Sequence, residues 1–211
     1  MKTDDLIGLL AADAAPAPPL RPLRIGALAL AGIVGILALF LALAGVRPGL
    51  GSVIQQPVVA AKTLIPLTLF ALSLRLTLAL LRPDAAQIPL RRLALPVAMA
   101  IALWLWSFAT LPPETRFADV SAFSLSECLG LITALSLLPL ALLLRLMRQG
   151  APLSPRRAGG LAGLATASGI AAGYSLFCTQ DNPLFYVTWY GAAVAIVTLA
   201  GAALGARFLK W

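Results

Sequence analysis

Cys128 and Cys178 are the residues of this chain with the most chemistry to offer. A thiol pair can close into a disulfide, cycle between oxidation states, or hold a soft metal ion as two thiolates. Glu127 precedes the first cysteine and Asp181 follows the second by three residues, so each thiol has a carboxylate nearby that could add a harder ligand. A soft or divalent metal ion at Cys128 and Cys178 is the one cofactor these residues suggest. Two cysteines without a tight ligand motif leave three readings open: a structural disulfide, a redox or metal sensor, and two unpaired buried thiols.

Catalytic machinery is otherwise missing. The chain has no histidine, its eight carboxylates fall in loops or tails, and no serine or threonine has a base beside it. This is the pattern of a protein that is not an enzyme. Apart from Arg145 at the end of the fourth, Lys62 and Arg75 are the only charges inside the apolar blocks described next. Each lies near one end of its block, where a long side chain can reach toward the nearer interface. Lys62 falls at a depth comparable to the cysteines, and its charge would favour a thiolate on a neighbouring helix.

The elements that must position these groups are membrane helices. With 60% hydrophobic residues, 11% charged residues and a mean hydropathy of +0.93, the chain cannot cover itself with a polar surface. Its 211 residues divide into apolar blocks at 25–45, 58–81, 93–111, 128–147, 158–178 and 185–206, each near the ~20 residues that cross a bilayer. The expected fold is all-α: a polytopic bundle of six transmembrane helices at 25–211, preceded by a tail at 1–24. Cys128 then begins the fourth span and Cys178 ends the fifth.

Charge sets the orientation. One face receives Lys2, Arg21, Arg24, Arg82, Arg91, Arg92, Arg145, Arg148, Arg156, Arg157, Arg207 and Lys210, and the other only Arg47 and Arg116. The basic face is cytoplasmic by the positive-inside rule, so both termini are cytoplasmic and both cysteines face outward. The outer face carries Glu114, Asp119, Glu127 and Asp181. The net charge of +8 therefore reports topology rather than nucleic-acid binding. Glycines spaced by four, Gly159 with Gly163, Gly169 with Gly173 and Gly201 with Gly205, make the fifth and sixth spans expected neighbours.

The tail MKTDDLIGLLAADAAPAPPLRPLR is unlike the rest. Thr3 can cap a short helix, Asp4 and Asp5 favour its positive end, and Leu6, Leu9 and Leu10, with Ile7 beside them, form an apolar stripe. So short a helix is marginal alone and gains by docking in a groove on a partner, while Pro16, Pro18, Pro19 and Pro22 stiffen the link to the membrane. Its acidic residues make a resting place on an anionic lipid surface the poorer reading. The stretch CTQDNPLFYVTWYG places Phe185, Tyr186, Trp189 and Tyr190 where aromatic residues gather at a membrane interface.

Taken in order, these features resemble the NrsF-like family of bacterial membrane anti-sigma factors, negative regulators of an extracytoplasmic-function sigma factor. The resemblance covers essentially the whole chain: the opening MKTDDLIGLLAAD, six spans, a cysteine at the outer end of the fourth, a second cysteine followed by an acid and then WYG, and the ending RFLKW. It implies that Thr3 to Leu10 holds the sigma factor at the inner membrane. It also implies that Cys128 and Cys178 sense metal or oxidative stress, with Glu127, Asp181 and Lys62 as supporting groups. Gln180 stands where the family carries an acidic residue, which leaves Asp181 as the nearer acid. The readings from other classes are a small membrane transporter of a metal or solute, and a membrane scaffold whose cysteines form a structural disulfide.

Overall fold

The computed structural model describes residues 3–13, 20–81, 89–117 and 122–209. Among them the regular structure is entirely helical: α1 (Thr3–Asp13), α2 (Pro22–Ala44), the single turn α3 (Leu50–Val53), α4 (Pro57–Ala79), α5 (Ala94–Thr110), α6 (Ala122–Met147), α7 (Pro155–Tyr174) and α8 (Pro183–Phe208). Proline sits in the first turn of α2, α4, α7 and α8, where its missing N–H costs nothing. Asn182 caps α8 through its side-chain oxygen, which accepts from the N–H of Leu184 at 3.0 Å. Lys2, Arg82, Asp119, Lys210 and the prolines at 16, 18 and 19 lie outside the described residues.

Among the described residues, five helices are long and apolar enough to cross a membrane: α2, α4, α5 with the 3-10 turn before it, α6 from Ser126, and α8. They enclose the remaining long helix. The helices α2, α4, α5, α8 and α6 follow one another around a ring, and α7 runs inside it against α2, α4, α6 and α8. Composition explains the placement. α7 is mostly glycine and alanine, and almost every residue from Ala158 to Ala172 is buried. Large leucines on the outer helices face away from the bundle, as Leu39, Leu64, Leu105 and Leu199 do. This is a bundle whose central helix is made largely of small residues and whose exterior is apolar, unlike the polar exterior of a water-soluble one.

The closest helix pair is α7 with α8. A methyl on Gly159 would run into the backbone oxygen of Gly201, and one on Gly163 into that of Val197; Gly201 and Gly205 are equally closed from the other side. The expectation that the last two long helices are neighbours therefore holds through Gly159, Gly163, Gly201 and Gly205. Gly169 and Gly173 serve other contacts: Gly169 meets Phe70 and Ile33, and Gly173 meets Leu37. The four-residue spacing recurs on α7 because that helix has neighbours on every side.

Candidate functional site

The cysteines meet at one end of the bundle. Their sulfurs are 3.8 Å apart, both thiols are free, and both residues are buried. Neither sits at a helix end as the hydropathy blocks suggest. Cys128 lies in the second turn of α6, because the helix begins at Ala122 in a more polar stretch. Cys178 lies beyond α7, which closes at Tyr174, and its N–H bonds the Tyr174 carbonyl oxygen at 3.1 Å. One sulfur is thus fixed in a helical ladder and the other in a turn. The Tyr174 hydroxyl donates to Cys128 Sγ at 3.5 Å.

The turn between α7 and α8 is held by two cations. Lys62 is 1% exposed, although it belongs to a helix rich in leucine. Its Nζ donates to the carbonyl oxygens of Cys178 and Gln180, both at 2.7 Å, and reaches Asp181 Oδ1 at 3.3 Å. Two backbone oxygens and the Asp181 carboxylate meet its three donors, so the ammonium is satisfied within the protein. Its Nζ also lies 6.0 Å from the ring centres of Tyr186 and Tyr190. Arg75, by contrast, is exposed.

Arg47 is the second cation, and the sequence reading did not single it out. It grips Asp181 with both ends of its guanidinium, Nη1 to Oδ1 at 2.7 Å and Nη2 to Oδ2 at 2.8 Å. Nη1 also reaches the Cys178 carbonyl oxygen at 3.3 Å, and the Arg47 N–H bonds the Leu176 carbonyl oxygen at 3.0 Å. Burial pushes the Asp181 carboxyl up, but the Arg47 hydrogen bonds and the charges of Lys62 and Arg47 outweigh it and hold the group below the usual range. Its bonds to Asp181 likewise raise the Arg47 guanidinium, against the opposing effect of burial. The available signal was that Arg47 is one of only two basic residues on the sparsely charged face.

Further bonds complete the clamp. Thr63 and Ser175 share a hydrogen bond of 2.7 Å, Asn182 Nδ2 donates to the Arg116 carbonyl oxygen at 2.9 Å, and the Tyr186 hydroxyl donates to Val58 O at 2.9 Å. Phe185, Tyr186 and Tyr190 are buried inside the bundle, so they line the site rather than form an interfacial belt. The Tyr190 hydroxyl and Arg47 Nε have no hydrogen-bond partner among the described residues.

A hollow of about 290 Å³ opens onto the thiols, lined by Arg47, Glu127, Cys128, Tyr174, Cys178 and Gln180 among others. Glu127 is half-buried on its rim. Asp181 is engaged by both cations, which leaves the two thiols and Glu127 as the donors nearest the hollow. Among the described residues no three Cys, Asp or Glu side chains converge as a ligand set.

The tail residues stand apart from this site. Thr3, expected as a cap, is already the first helical residue of α1, and Asp4 and Asp5 occupy its first turn. Leu6 and Ile7 are exposed, at 42% and 58%. The side chains of Leu9 and Leu10 lie outside the described residues.

Comparison with known proteins matches residues 10–211 to the family model NrsF, "Negative regulator of sigma F". The chain is 34% identical over 214 residues to the "Probable anti-sigma-F factor NrsF" of Azospira oryzae (strain ATCC BAA-33 / DSM 13638 / PS). It is 33% identical over 215 residues to the "Anti-sigma-F factor NrsF" of Caulobacter vibrioides (strain NA1000 / CB15N). Both alignments cover the whole of both chains. No solved structure matches. The chain belongs to the NrsF family of negative regulators of sigma F, anti-sigma factors and not enzymes.

Proposed function

We propose that this protein is an inner-membrane anti-sigma factor that holds an extracytoplasmic-function sigma factor through α1 and releases it when Cys128 and Cys178 react. α7 is read as a sixth span, low in hydropathy because protein rather than lipid surrounds it, and the twelve-to-two division of basic residues puts both termini in the cytoplasm. The sigma factor is the partner by kinship, and the bilayer is the solvent. The observation that carries the reading is the thiol pair, 3.8 Å apart beneath a hollow.

Supporting it on the cytoplasmic side are the exposed Leu6 and Ile7 of α1, apolar side chains that a partner groove would cover. An oxidant would draw the two sulfurs into a disulfide; a soft metal ion would draw them together as thiolates. Transport is the weaker reading. A crevice of about 550 Å³ runs between α4, α5 and α8, but its walls are almost wholly apolar and bear no carboxylate.

The test is copurification. The full-length protein should bring a sigma factor with it from membranes, a chain lacking residues 3–13 should not, and treating the complex with oxidant or soft metal should elute the partner. Retention of the partner by the shortened chain removes the tail from the reading.

A further inference from the structure

We infer that Lys62, Asp181 and Arg47 are positioning residues that hold Cys178 short of bonding with Cys128 and thereby set the redox midpoint of the pair. This rests on the thiol chemistry proposed above and adds which residues tune it. A disulfide needs its sulfurs at about 2.05 Å, so a pair now 3.8 Å apart must close by roughly 1.8 Å. Cys128 is set in the ladder of α6 and is 1% exposed, with Tyr174 bonded to its sulfur. The movable partner is the turn carrying Cys178.

That turn is restrained through its backbone and through Asp181. Lys62 holds the Cys178 carbonyl oxygen itself, and the second and third residues after it through Gln180 O and Asp181 Oδ1. Arg47 holds Asp181 from the loop after α2, with a second bond to Cys178 O and a backbone bond to Leu176. These are charge-assisted bonds around a buried ammonium, where few water molecules can replace a lost partner. Shifting the Cys178 backbone toward Cys128 works against bonds that are already short. Anchor and disulfide therefore oppose one another, and by linkage each weakens the other by the same free energy.

The reaction to be measured is exchange with glutathione disulfide. The Cys128 and Cys178 thiols lose two protons and two electrons as their S–S bond forms, the glutathione S–S bond breaks, and two glutathione thiols are released. Charge alone would also link Lys62 to this equilibrium, since an ammonium stabilises a thiolate and so the reduced form. Asp181 separates the two accounts. Removing its negative charge would favour the thiolate and make the midpoint less negative, whereas removing an anchor makes it more negative.

The experiment takes full-length protein in detergent micelles, equilibrates it across glutathione redox ratios, and reads the disulfide fraction by alkylating remaining thiols. Lys62→Met and Asp181→Ala should each shift the thiol–disulfide equilibrium at least tenfold toward the disulfide, about 30 mV more negative for a two-electron couple. Arg47→Gln, in a loop at the surface end of the site, should shift it the same way and keeps the test open if Lys62→Met does not accumulate. An Asp181→Ala midpoint that is unchanged or less negative overturns the anchor while leaving the thiol chemistry standing. A wild-type protein that forms no Cys128–Cys178 disulfide at any ratio overturns both.

Discussion

Lys62 donates to the carbonyl oxygen of Cys178 at 2.7 Å, across 116 residues of chain. A lysine in the second long helix thus fixes the backbone of the cysteine between the last two. Replacing Lys62 by Met removes the donor to the Gln180 carbonyl oxygen and leaves the Cys178 one with only the longer Arg47 bond of 3.3 Å, at a cost of about 1–3 kcal/mol for a buried group left unsatisfied. Lys62→Met should lower the thermal midpoint of the purified protein, while Lys62→Arg should recover part of the loss. Equal melting of wild type and Lys62→Met would show that water replaces the ammonium at no cost.

Asp181 makes the same cluster sensitive to acid. Its carboxyl is held below its ordinary value, so it contributes stability that is present above the unfolded value near pH 3.9 and is lost as the pH falls through the lower folded value. Asp181 should therefore add no pH dependence to thermal stability between pH 8 and 5. Stability should drop more steeply below about pH 4 in wild type than in Asp181→Asn, since only the wild type has this group to protonate. Parallel pH profiles for the two proteins would mean that the Arg47 and Lys62 bonds to Asp181 contribute nothing in solution.

Much of this architecture was legible from composition and spacing, because lipid imposes strong rules. An uncharged run of about 20 residues is hard to place anywhere but in a membrane helix, and glycines four apart on two adjacent runs favour close approach. The site was legible in its cysteines and in Glu127, Asp181 and Lys62 as neighbouring groups, but not in the bonds that join them. Hydropathy treats Lys62 as a penalty near the end of a span, and no local pattern reveals that the carbonyl oxygens of Cys178 and Gln180 will surround it. Arg47 was hidden for the same reason, since its partner lies 134 residues away. The helix ends were misplaced where polar residues extend a helix beyond its apolar run, as at Ala122–Glu127, or where an apolar run continues past a helix end, as at Ser175–Cys178.

The glycine contact makes a separate prediction about α7 and α8. A side chain at Gly159 or Gly201 meets backbone rather than a flexible neighbour, so the helices must move apart. Gly201→Leu should destabilise the bundle by about 1–3 kcal/mol or more and reduce its membrane level. Gly191→Ala is the matched control on α8, because nothing lies within 4 Å of a methyl there. If both variants accumulate like wild type, the close approach of α7 and α8 is not needed for folding.

Topology can be read without touching the site. Reporters fused after Arg92 and after Arg157 should report cytoplasm, and one fused within 112–117 should report the outer compartment. A tag after Arg157 that reacts with a membrane-impermeant reagent from outside would break the assignment of α7 as a span.

Partner release isolates what the tail contributes. Burying one leucine contributes about 1.5–3 kcal/mol, so Leu6→Asp together with Leu10→Asp should weaken sigma-factor capture by well over tenfold. The cysteine variants then separate a sensor from a staple. If the pair senses, Cys128→Ser and Cys178→Ser should accumulate normally, bind the partner through an intact tail, and fail to release it when oxidant or soft metal is added. If the pair is a structural disulfide, either variant should lose abundance and release the partner with no signal at all, since breaking such a bond typically costs 2–5 kcal/mol. Membrane level and partner release must be measured together, because release alone follows from either. Variants that accumulate normally and still release the partner on signal would move the sensor away from Cys128 and Cys178 altogether.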